Sequence, residues 1–161
     1  MRGKKATKGK IAPDPKYSNV VVAKFVNTIM RSGKKSVAQA VLYGAFDRIH
    51  AKTKRDPIEV FNLAIKNASP QVEVRGRRVG GANYQVPMPV TSDRRLALSM
   101  RWIIGAARGR KGIPMGERLA TELLDASQGE GTAIKKRDDV HKMARANRAF
   151  VHFARFNKKK R

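Results

Sequence analysis

The chain of 161 residues contains no cysteine, which excludes disulfides and thiolate metal sites and leaves the compartment open. It has no run of about 18 apolar residues, and no basic amphipathic helix stands apart from a core, so a membrane protein is not expected. The opening MRGKKATKGKIAPDP carries charge with no apolar stretch behind it; no signal peptide is expected, and a cytoplasmic product is. Histidine is scarce, and His50, His141 and His152 are scattered rather than grouped as ligands. Gly80-Gly81 lacks the GxxxxGK(S/T) context of a phosphate loop and the GxGxxG spacing of a dinucleotide fold. Asp138-Asp139 follow three basic residues on a helical stretch, where they neutralise their own neighbours. These absences predict no enzyme, no cofactor and no metal.

Acid is also in short supply: 12 Asp and Glu stand against 36 Lys and Arg, for a formal net charge of +24. In one compact body that charge repels itself and calls for a polyanionic partner, nucleic acid first. The length suits a single domain able to bury roughly two thirds of its unfolded surface, and neither an internal repeat nor a long linker divides it. Residues 1–16 read as a flexible basic arm carrying Arg2, Lys4, Lys5, Lys8 and Lys10; residues 17–156 read as the folded domain, and residues 157–161 as a basic tail.

The stretch QVEVRGRRVGGANYQVPMPVT, residues 71–91, predicts a β-hairpin turned at Gly80-Gly81. Counting back from that turn sets Val79 opposite Ala82, Arg77 opposite Tyr84 and Arg75 opposite Val86. Pro87 and Pro89, which have no N–H to donate, then fall at non-hydrogen-bonded positions. An isolated ribbon is marginal in water, so it is expected to protrude, to add little to the core, and to be held by RNA through Arg75, Arg77 and Arg78. Tyr84 suits either a stack on an unpaired base or a cross-strand contact with the Arg77 stem.

The remainder is helical, giving a mainly α fold of about six helices. Val22, Phe25, Val26, Ile29 and Met30 define a first helix from Ser18, ended by Gly33; Lys34 and Lys35 follow, and Ser36 is expected to cap a second with Ala38, Val41, Leu42, Ala45, Phe46 and Ile49 inward. Asp56 and Pro57 start a third helix that Ser69-Pro70 stops. A fourth starts at Thr91 or Ser92, with Arg94, Arg101 and Arg108 repeating on the side away from its apolar stripe and Arg95 beside them. The loop GRKGIP supplies Arg110 and Lys111; a fifth helix ends at Gly129, and a sixth opens at Thr132. On the sixth, His141, Arg145, Arg148, His152 and Arg155 are expected on one face, with Met143, Phe150 and Ala154 opposite. Trp102 and the helix phenylalanines are expected in the core.

Arginine recurs at helical spacing on two helices and flanks the ribbon tip, and a guanidinium grips phosphate in a fork and stacks on bases. That suits folded RNA. The alternative is a DNA-architectural protein with a minor-groove β-arm, but such proteins are usually symmetric dimers, whereas this chain shows one arm and two unlike arginine faces.

Three ordered blocks carry a family resemblance: VEVRGRRVGGANYQVP (residues 72–87), the set Asn19, Val21, Phe25-Val26, Gly33-Lys34-Lys35, Val41-Leu42 and Ala45, and ERLATELLDA (residues 117–126). Together they resemble the bacterial small-subunit ribosomal protein seven family across about residues 13–153. The resemblance implies a helical bundle with a protruding hairpin that binds the three-prime major domain of small-subunit rRNA early in assembly. It also implies a place near exit-site tRNA and mRNA, beside other proteins of the head and platform, and no functional homo-oligomer. Gly80, Gly81, Arg145, Arg148 and Arg155 are the residues expected nearest tRNA. Departures from the family pattern are Gly76 where serine is common, Met88-Pro89 in place of Val-Glu, and the extension 154–161.

Overall fold

A computed structural model describes Gly9 and residues 11–154. Six α-helices surround one core: α1 (Val20–Ile29), α2 (Lys35–Thr53), α3 (Pro57–Ala68), α4 (Ser92–Gly109), α5 (Met115–Gln128) and α6 (Thr132–Ala146). Strands β1 (Val72–Val79) and β2 (Ala82–Pro89) form an antiparallel hairpin between α3 and α4, and a 3-10 helix, Arg148–Ala154, follows α6.

Helix α5 is the centre of the bundle, with α2, α3 and α4 all packed on it. Its Leu119 and Leu123 are fully buried, as are Phe25, Phe46 and Phe61, which meet edge to face at centroid distances of 5.1 and 5.6 Å. Such contacts add about 0.5–1.5 kcal/mol each beyond the area they bury. Trp102 is only half-buried, at the edge of this core.

Local signals fix several helix ends. The Asp56 carboxylate accepts the Ile58 N–H at 2.9 Å with Pro57 behind it, and Gly129 ends α5 at φ 85°. Two expected starts differ. Asn19, not Ser18, caps α1 by accepting from Val21 and Val22, because Ser18 is turned to φ 49°. Ser36 lies inside α2, whose cap position is held by Lys34 without a side-chain bond.

The hairpin has the expected register, with Val79 opposite Ala82, Arg77 opposite Tyr84 and Arg75 opposite Val86. Gly80 and Gly81 have φ of 56° and 91°, the double left-handed geometry that a type I′ turn demands. Its base is less detached than expected. Val86, Pro87 and Val90 are buried, α6 lies on β1, and the 3-10 helix lies on β2.

The expected long sixth helix is instead two elements. Asn147 donates its side-chain amide to the Met143 carbonyl at 2.9 Å and closes α6. The turn carries Phe150 and Phe153 onto Tyr84, at centroid distances of 5.2 and 5.0 Å. The continuous face from His141 through Arg148 is therefore broken, Arg155 lies outside the described residues, and Met143 is exposed rather than inward.

Candidate nucleic-acid interface

Which cations are free for a ligand depends on which ones the fold has already paired. On the hairpin, Arg75 pairs with Glu73, a carboxylate buried at the hairpin base, and Arg94 of α4 reaches the same carboxylate at 3.2 Å. Arg77 leans on the Met88 sulfur at 3.8 Å, and Arg78 makes no polar contact among the described residues. Tyr84 is half-buried under the two phenylalanine rings, a contact that reading by strand register alone could not supply.

On α4, Arg95 donates weakly to the Val90 carbonyl at 3.5 Å, Arg101 is exposed without a polar partner among the described residues, and Arg108 donates to the Ile29 carbonyl at 3.0 Å. Burial lowers the Arg108 pKa, and the nearby Arg31 charge lowers it further. Arg110 is tied internally. It meets the fully buried Glu122 at 2.8 Å and Asp125 at 2.5 Å, and the hydrogen bond to Glu122 raises its pKa. Lys111 beside it has no polar partner among the described residues.

At the α1–α2 turn, Ser32 and Gly33 both take positive φ, 51° and 71°, and hold Lys34 and Lys35 outward. The fold brings Arg31, Arg108 and Arg118 to Lys34 around one cleft. Arg31 and Arg118 carry no periodic signal in the sequence, since their neighbours here come from α2, α4 and α5.

Arg145 and Arg148 are exposed and without polar partners among the described residues, on α6 and the 3-10 helix respectively. Arg2, Lys4, Lys5, Lys8 and Lys10 lie outside the described residues. His141, half-buried, sits at the hairpin base: its Nε2 accepts the Gln71 N–H at 3.1 Å, so the ring there is neutral. Burial first, then the Arg137 charge, lowers its pKa. Among the described residues no cluster of His, Asp and Glu could hold a metal, and no helix is long and apolar enough to cross a membrane. What the surface offers chemically is anion recognition, by Lys34, Lys35, Arg78, Arg101, Lys111, Arg145 and Arg148.

The family model for ribosomal protein S7p/S5e matches residues 1–148. The chain belongs to that family. Relatives named small ribosomal subunit protein uS7 include those of Afipia carboxidovorans and Rhodopseudomonas palustris, each 60% identical over 148 residues, 92% of this chain and 95% of the relative. That of Nitrosospira multiformis is 58% identical over 152 residues, 94% of this chain and 97% of the relative. A family member of this kind has no chemistry to catalyse.

Proposed function

We propose that this protein, a structural constituent of the small ribosomal subunit in the cytoplasm, binds the three-prime major domain of small-subunit rRNA and organises assembly of the head. Family membership supports the ribosomal role and its rRNA and ribosomal-protein partners. The observation that carries the finer reading is the set of exposed cations without a polar partner among the described residues on adjoining elements: Lys34 and Lys35 at the α1–α2 turn, Arg101 on α4 and Lys111 in the α4–α5 loop. Phosphate contacts of this sort fix orientation on folded RNA and favour no base sequence by themselves. The hairpin tip at Gly80-Gly81 and the exposed Arg145 and Arg148 form a second surface, which we assign to the neighbourhood of exit-site tRNA and mRNA. Nothing in the family match favours the DNA-architectural alternative.

The two surfaces separate in binding isotherms on isolated head-domain rRNA. Arg101→Ala with Lys35→Ala weakens binding strongly, while Arg145→Ala with Arg148→Ala leaves it nearly unchanged and alters tRNA occupancy in assembled subunits. Equal losses from the two pairs would refute this division.

A further inference from the structure

A cleft of about 450 Å³ opens between the α1–α2 turn, α2, the end of α4 and the start of α5. Its apolar walls come from Met30, Val37, Val41 and Met115, and its rim from Arg31, Lys34, Arg108 and Arg118. Among the described residues no carboxylate lines it. Val37 is 56% exposed in the first turn of α2, where a polar residue would hydrate more cheaply. Four cations share this rim, and at Arg108 burial first, then the neighbouring Arg31 charge, lowers the guanidinium pKa. Helix α2 adds to the imbalance: it has no acidic residue in its first turn, no side-chain cap, and Lys34 and Lys35 at the positive end of its dipole.

A small anion would answer the charge and leave the apolar walls wet. An RNA duplex would meet the rim with phosphates but could not insert a base. Only a ligand with a phosphate next to a flat apolar face satisfies both. Resting on the rRNA-binding reading above, we infer that this cleft receives one unpaired nucleotide of RNA, its base against Val37 and the two methionines and its phosphates on the rim cations. Aromatic residues commonly stack such bases, but apolar side chains flanked by arginines present the same kind of surface.

The test uses the full chain, with methyl groups of Met30, Val37 and Met115 observed by NMR. The probes are a mixed-sequence single-stranded hexaribonucleotide and a strand of equal length and charge without bases. The base-bearing strand binds roughly tenfold more tightly and shifts these methyls, and the abasic strand does neither. Val37→Asn leaves the net charge unchanged at an exposed site, so circular dichroism and melting stay the same while the difference between the strands disappears. Equal binding of both strands, or unmoved methyls, overturns the cleft. If the wild type also fails to bind head-domain rRNA, the rRNA-binding reading itself falls; if it binds and Val37→Asn binds equally well, only the nucleotide site is lost.

Discussion

Glu122 is fully buried, and its two oxygens have separate tasks: Oε1 accepts the Ala133 N–H at 2.9 Å, and Oε2 holds Arg110 at 2.8 Å. It thereby caps α6 from α5, in place of Gly131, which has no side chain to do so. Glu122→Ala should cost about 3 kcal/mol, since removing one partner of a buried pair strands the other groups, and urea unfolding measures this. A loss below about 1 kcal/mol would show the cap to be idle. His141 gives a pH signature. Its native pKa lies below the ordinary 6.5, so in the acid range the unfolded chain takes up its proton first. The stability it contributes is complete above pH ~6.5 and is lost as pH falls through the lowered native value. The urea midpoint of the wild type should therefore drop more between about pH 7 and pH 5.5 than that of His141→Gln; parallel drops would contradict the assignment. At this scale the sequence reveals where arginines stand but not which are occupied. Arg94 on α4 and Arg110 in the loop after it look free in the sequence, and their acidic partners lie 21 and 12 residues away.

The hairpin was legible as an element because its signals are local. Two glycines that accept positive φ set the turn, and two prolines without N–H groups exclude a one-residue slip. The end of α6 was not legible, because helical period continues through residue 155 in the sequence while the decisive contacts join Phe150 and Phe153 to Tyr84, more than 60 positions away. Those rings make the 3-10 helix a clasp on the ribbon. Phe150→Ala with Phe153→Ala should therefore speed amide exchange in β2 by an amount equivalent to about 1–3 kcal/mol while the α1–α5 core keeps its protection. Unchanged exchange in β2 would mean that the rings merely rest there. Alanine at Arg75 frees Glu73 from one of two partners, both about half exposed, and should cost no more than about 1 kcal/mol. Arg78→Ala touches no internal partner and should leave melting unchanged.

The whole molecule is a small acid-poor body that uses several of its few carboxylates in internal ion pairs: Glu73 with Arg75 and Arg94, Glu122 and Asp125 with Arg110, and, at the surface, Asp47 with Lys16 and Glu117 with Arg48. The remaining cations face outward around a net charge of +24. Composition alone shows this imbalance, and only the fold shows which cations, among them Lys34, Lys35, Arg78 and Arg101, stand exposed without a polar partner among the described residues. If it binds rRNA as proposed, a body so charged exchanges small counterions for phosphates. The most direct measurement is the affinity of the purified protein for head-domain rRNA as a function of salt. If it neutralises roughly 6–10 phosphates, the log–log plot is steep and affinity falls by about 10³–10⁵ between ~50 and ~200 mM salt; a nearly flat plot would contradict the account.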